Sequence, residues 1–228
     1  AVPTLDYVPA GIAGLILNLG VEATSSGDLV SRFHSVWTAE QRERHGEAAE
    51  IVASVAKRAF ERAADAVRDD EPTSESALSD LIRVELTGAG LVVKPDCIVA
   101  IGPRAADSHY APVGAGETIN RGDLLLIDLW GAFEGMVFAD QTWMGFLGSE
   151  VDARTQEIWE AVRDARDAAI RLVHERVHAR HELRGWEVDR AARTVIEKAS
   201  YGPYFVHRTG HSLGESVHGN GVHMDDYE

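Results

Sequence analysis

Two aspartates, Asp128 and Asp140, stand inside otherwise apolar runs, DLLLIDLW at 123 to 130 and MVFADQTW at 136 to 143. An ionised carboxylate in such a setting carries a heavy desolvation penalty unless a positive charge compensates it, and a metal ion is one such charge. The runs are separated by a glycine-bearing turn, which is a hairpin signal. A turn centred on Glu134, with Gly135 free to take a left-handed conformation, sets Asp128 directly opposite Asp140 on one face, close enough to share an ion. The plainer alternative is that one of them caps a turn or pairs with an arginine. A second cluster, His207, His211 and His218, lies within HRTGHSLGESVH, where glycines permit close backbone approach. Carboxylate and imidazole together are the ligand mixture of Mn, Fe, Co or Zn sites. A further match, HERVH at 174 to 178, has the form H-E-x-x-H, in which His174 and His178 would hold zinc and Glu175 act as base. Its segment is strongly charged, Arg176 sits inside it, and only His181 stands nearby as a third ligand, so a solvated helical face explains it more simply.

The elements that must position these residues follow from periodicity. Thr38 and Gln41 form a capping-box pattern ahead of a long amphipathic helix reaching Asp69, with apolar positions at 48, 52, 55, 59, 60, 63 and 67. A second helix is expected from near Thr73 to Gly88, with Leu78, Leu81, Ile82 and Leu86 on one face. CIVAIG at 97 to 102 reads as a buried strand and leads into a loop carrying Ser108, His109 and Tyr110. The series then repeats: Ser149 with Asp152 is expected to cap a helix reaching about residue 180, and Val188 to Ala199 marks a shorter one before the histidine-rich stretch. Long helix, short helix and histidine recur at a nearly constant offset, which suggests two related halves. On that pattern a second acid-bearing hairpin is expected beyond His218, and the chain reads as cut short.

LLLIDLWGAFEGMVFADQTW followed by FVHRTGHSLGESVHG resembles the dinuclear metallopeptidases of the pita-bread fold: methionine aminopeptidase, aminopeptidase P, prolidase and creatinase, with the Xaa-Pro peptidases nearest. The resemblance implies an α+β fold, a curved antiparallel sheet with helix pairs outside and the site on the concave side. It implies a catalytic domain at 39–228, incomplete at its C-terminus, preceded by a remnant of an N-terminal domain or linker at 1–38. Carried over residue by residue, it makes Asp128 a ligand of one metal, Asp140 a bridge and His211 a ligand of the other. His218 then contacts the scissile peptide group, His207 is the additional histidine of the prolidase-like branch, and His109 lies beside the substrate's amino end. Two divalent ions, manganese foremost and Co, Zn or Fe otherwise, would activate a bridging water for hydrolysis of an N-terminal peptide bond with proline next in line. Three departures accompany it: the aspartates are 12 apart where the family usually shows 11, DQTW matches D-x-T-R only loosely, and the two later glutamate ligands have no counterpart, Glu215 and Glu228 being poorly placed substitutes.

Composition bounds the partners. The chain has 228 residues, enough for a core without staples, and a formal charge of −15 that would repel a nucleic-acid backbone. The N-terminal segment AVPTLDYVPAGIAGLILNLG lacks the basic flank and length of a signal or membrane span. One cysteine, Cys97, excludes an internal disulfide and reads as a small core residue, with a reducing cytoplasmic location as the default. A short peptide is the expected partner, with a homodimer left open. Trp130 and Trp143 flank the aspartates and are expected to line the site wall. The competing functions are a metal-free pita-bread module that only binds peptides and the zinc protease built on His174 and His178.

Overall fold

The structure, a computed structural model, describes residues 8–71 and 73–226. Glu228 therefore lies outside the described residues. The chain divides into two compact units: a sheet unit of Thr38–Gln156 with Glu215–Val217, and a helical unit of Ala1–Trp37, Glu157–Gly214 and His218–Glu228.

In the sheet unit the long helix α3 spans Ala39–Arg68, following the short helices α1 (Ala10–Asn18) and α2 (Gly27–His34) of the other unit. Its start is the capping box read from the sequence: the Gln41 amide donates to Thr38 Oγ1 and the Thr38 amide to Gln41 Oε1. Two orphan amides of the first turn are thereby satisfied. One stripe of α3, Ala48, Val52, Val55, Ala56, Ala59, Ala63 and Ala66, is buried. Its predominance of alanine lets the sheet and α4 (Glu75–Gly88) approach closely, and α4 contributes Leu78, Ile82 and Leu86 to the same core.

The strands are β1 (Ile98–Ile101), β2 (Leu124–Gly131) and β3 (Ala139–Phe146), antiparallel in the order β1-β2-β3. Leu125, Ile127 and Leu129 are wholly buried, while alternate residues Leu124, Leu126 and Asp128 are half-buried. Side chains of opposite faces alternate along a strand, so one face of the sheet is committed to α3 and α4. Two close contacts on that face confirm it. The Gln141 side-chain amide donates to Ala49 O at 3.0 Å, and Gly145 lies so near the Phe60 ring that a Cβ there would sit 2.6 Å from it.

The hairpin register differs from the sequence expectation. Asp128 is opposite Thr142 and Asp140 opposite Trp130. The cause is in the connection. A tight turn closes with the Met136 amide donating to Phe133 O at 2.9 Å, with Gly135 at φ 71. One residue, Ala132, then separates the turn from β2, while Val137 and Phe138 separate it from β3. The extra residue of the longer aspartate interval is absorbed there, and the ladder from Leu124–Phe146 to Gly131–Ala139 is unbroken. A two-residue slip preserves the face, so both carboxylates remain on one side, as diagonal neighbours about 7–8 Å apart at the backbone. Trp143 pairs with Ile127 and packs on the core, so it does not share the aspartates' face, whereas Trp130 does.

Two further helices are α5, Ala153–His178, which lies in the helical unit from Glu157 on, and α6, Gly185–Lys198. Asp152 alone caps α5, its Oδ1 accepting from the Arg154 and Thr155 amides, and Ser149 takes no part. Ala161, Ala165 and Ala169 of α5 pack with Val188, Ala192 and Ile196 of α6. Truncating Ile127, which is 0% exposed, to alanine is expected to cost roughly 2–5 kcal/mol. Val113→Ala, at a position 94% exposed, should stay within about 0.5 kcal/mol. Urea denaturation of the two variants checks the contrast.

Candidate metal centre

On the sheet unit, β2 delivers Asp128 and β3 delivers Asp140 and Thr142 to the face turned away from α3. The Thr142 hydroxyl donates to Asp128 Oδ1 at 2.7 Å. Such a bond fixes a carboxylate rotamer, as the partners of metal-bound carboxylates do. Trp130, opposite Asp140, is buried and donates its indole N–H to Pro95 O at 2.8 Å. His109 follows β1 by way of a 3₁₀ turn, Gly102–Ala106, and sits exposed on the loop beyond it. Its amide donates to Asp107 Oδ1 at 2.9 Å and its Nδ1 lies 3.3 Å from Ser108 Oγ.

On the helical unit the histidine segment turns back on itself. The Gly219 amide donates to Ser212 O and the Gly221 amide to Ser212 Oγ, both at 2.8 Å. Gly219 is required there, because a Cβ would meet Leu213 backbone at 2.6 Å. The fold-back brings the His211 and His218 rings edge to face with centroids 4.5 Å apart. His211 Nδ1 lies 3.0 Å from Ser212 O. A carbonyl only accepts, so Nδ1 carries the hydrogen, and Nε2 is the nitrogen by which the neutral ring would ligate a metal. His207 is exposed, and its carbonyl accepts from Arg193 at 3.1 Å.

His223 was absent from the sequence-derived set. It is 7% exposed, its ring lies 6.5 Å from that of His211, and its Nδ1 accepts from the Ser212 amide at 3.3 Å. Burial and then the Arg208 charge hold its pKa below the ordinary imidazole value, against the pull of Asp225. A neutral ring can serve as that acceptor. Asp189 was also missed. Wholly buried on α6, it accepts from Arg193 Nε at 2.9 Å and from the Thr209 amide and hydroxyl at 2.9 and 2.8 Å. Arg193 in turn donates to Phe205 O and His207 O, which pins the irregular segment entering the histidine cluster to α6.

The structure thus brings Asp128 and Asp140 together on one face and His211 and His218 ring against ring. The first pair belongs to the sheet unit and the second to the helical unit. Among the described residues no three or more His, Cys, Asp or Glu side chains are gathered as a ligand set. The donor chemistry, two half-buried carboxylates with one oriented by a hydroxyl, suits a divalent ion of the Mn, Fe, Co or Zn type. His174, Glu175 and His178 lie exposed on α5, and Arg176 turns to Glu187 at 3.0 Å.

Residues 44–227 match the family described as Metallopeptidase family M24, and the chain belongs to that family. Within it the similarity is to Xaa-Pro peptidases. The chain is 30% identical over 193 residues to the Xaa-Pro dipeptidase of Pyrococcus furiosus, a match covering 84% of this chain and 51% of that protein. It is 35% identical over 123 residues to the Xaa-Pro dipeptidase of Lactobacillus helveticus, covering 54% of this chain and 31% of the relative. The prolidase structure from Thermococcus sibiricus superposes with a TM-score of 0.72 at 26% identity, over 93% of this chain and 55% of that one. The α+β fold is accordingly the pita-bread fold of these enzymes. The chain spans about a third to a half of the length of these curated relatives.

The Asp189 carboxyl has a pKa below the ordinary aspartate value: burial pushes it up, and the hydrogen bonds from Arg193 and Thr209 outweigh that push. A carboxyl depressed in the folded state adds stability that is complete above the unfolded pKa of about 4 and is lost as pH falls through the folded value. Asp189→Asn is therefore expected to destabilise by about 3 kcal/mol at pH 7. The gap to the parent should narrow as pH falls below about 4 towards the folded value. Urea melts at pH 7 and pH 3 measure the narrowing.

Proposed function

We propose that this chain carries metal-holding and substrate-contacting residues of a metal-dependent exopeptidase that hydrolyses the N-terminal peptide bond of short peptides, with proline as the second residue. The observation that carries the reading is the pair Asp128 and Asp140, held by an unbroken ladder on one strand face in a chain of family M24. Asp128, Asp140 and His211 would hold divalent ions, Asp140 as the bridge, with manganese the first choice among Mn, Fe, Co and Zn. When bound, such ions supply a nucleophile at neutral pH by lowering the pKa of water.

The chain's own groups supply the rest. Thr142 keeps the Asp128 carboxylate in one orientation by donating to Oδ1. The His211 ring is oriented by its Nδ1–H bond to Ser212 O. His218, edge to face with that ring, and His207 would hydrogen-bond the carbonyl oxygen of the scissile bond, where charge develops, an interaction of a few kcal/mol when preorganised. His109 would stand beside the substrate's amino end. A cytoplasmic homodimer completes the reading. The lone cysteine fits a reducing compartment, its thiol held in the core and pushed up to about 11 by burial. Among the described residues no helix is long and apolar enough to cross a membrane.

Calorimetric titration with Mn²⁺ should show binding that Asp140→Asn or His211→Ala removes, and the same changes should lower kcat/KM on a Xaa-Pro dipeptide by more than about 100-fold. Exchanging His174 and His178 for alanine should leave both readouts within about twofold. Absence of Mn²⁺ binding by the parent chain, or loss of activity in the His174 and His178 variant, rejects the proposal.

A further inference from the structure

Glu75, the first residue of α4, is 0% exposed, a rare state for a carboxylate. A buried charge is tolerated only when donors surround it. Three do, from three separate stretches of chain. The Ile101 amide, at the end of β1, donates to Oε1 at 3.0 Å. The Glu117 amide donates to Oε2 at 2.9 Å, and the Tyr110 hydroxyl reaches the same oxygen at 2.7 Å. The positive end of the α4 dipole adds to these.

Helix capping does not account for the arrangement. Ser74 already caps α4, its hydroxyl accepting from the Ala77 amide, and the Glu75 oxygens face β1 and the loop instead of the helix's own amides. What the three donors have in common is the segment 102–116, which carries His109. Ile101 is its entry, Glu117 its exit and Tyr110 its middle. The exit is clamped further: the Glu75 amide donates to Glu117 O, the Ser76 amide to Ala115 O, and the Ser76 hydroxyl to Gly114 O. Gly116, at φ 68, passes so close that a Cβ would lie 2.6 Å from Glu75 Oε2. The tip of the loop, by contrast, is open, with His109 exposed and Val113 94% exposed. The buried Glu75 carboxylate thus gathers both ends of this exposed loop and its centre.

We propose that Glu75, acting through the Tyr110 hydroxyl, is the positioning residue for His109, fixing the loop so that the imidazole next to Tyr110 meets substrate in one place. The inference rests on the reading of His109 as a substrate-contacting residue. Its bond to Glu75 also holds the Tyr110 hydroxyl above the ordinary phenol pKa, as expected for a donor to a carboxylate.

Tyr110→Phe removes one hydroxyl and keeps the ring, leaving both amide donors on Glu75. Two measurements on the full chain test the proposal. With histidine isotopically labelled, the His109 imidazole cross-peak, assigned by its disappearance in His109→Gln, should shift or broaden in Tyr110→Phe while those of the other histidines stay in place. On a Xaa-Pro dipeptide, Tyr110→Phe should lower kcat/KM roughly tenfold in the parent. It should have an effect within about twofold once His109 is alanine, because residues acting as one unit are not additive. Glu75→Gln should reproduce the cross-peak change. An unmoved His109 signal, or an equal loss in both backgrounds, overturns the proposal. If the parent shows no peptidase activity, the functional reading fails on its own, and the imidazole signal alone decides this one.

Discussion

The strict two-residue alternation of the β2–β3 ladder is the constraint on which the site depends. Leu125, Ile127 and Leu129 have no exposed surface, and burying each side chain is worth roughly 1.5–3 kcal/mol. Those residues choose the face that α3 covers, and Asp128, Asp140 and Thr142 are sent to the other face as a consequence. A slip by one residue would place the carboxylates in the core and the leucines in water, reversing every one of these contributions. Gly145 against Phe60 and Gln141 against the Ala49 carbonyl hold the same register independently. The carboxylate pair therefore needs no stabilising contact of its own to stay together.

Residues on loops have no ladder to hold them, and the two units meet that need with one device. Each has a helix of 14 residues after its long helix, and each of these carries a carboxylate with no exposed surface, Glu75 on α4 and Asp189 on α6. Both accept backbone amides from the segments that bear candidate histidines: Ile101 and Glu117 around His109, Thr209 between His207 and His211. The chemistry of the two anchors differs. Glu75 is met by two amides and a hydroxyl, Asp189 by one amide, one hydroxyl and a guanidinium, and Arg193 extends that grip to the carbonyls of Phe205 and His207.

Much of this was readable in the chain because its cause is local. The capping box of Thr38 and Gln41, the apolar stripe of α3 and the two apolar runs of the hairpin depend on neighbours within a few residues. The hairpin register was legible only to its face, since the two residues that offset it, Val137 and Phe138, look like ordinary strand residues until the Phe133–Met136 turn is closed. Trp143 was misjudged for a simpler reason: it stands three residues from Asp140, so strand alternation alone sends it to the core face in either register. Glu75 carried no signal, since an acid in the first turn of a helix is the commonest of surface features and its partners lie 26, 35 and 42 residues away. Asp189 was hidden likewise, as the Asp–Arg pair four apart on α6 matches any solvated helical pair.

The contrast between HERVH and the aspartate pair shows which sequence signals survive folding. Spacing alone can place two histidines one turn apart, and α5 does so. A metal site also needs depth, and partners that orient its ligands. His174 and His178 are exposed, and the arginine between them pairs with Glu187 on α6. Asp128 and Asp140 break the apolar pattern of the strands that carry them, and the break marked them. A polar residue costs free energy where the surrounding pattern is apolar, so its presence there calls for a compensating role. On a charged helical face the same residue types carry no such cost, and a matching motif there says little about chemistry.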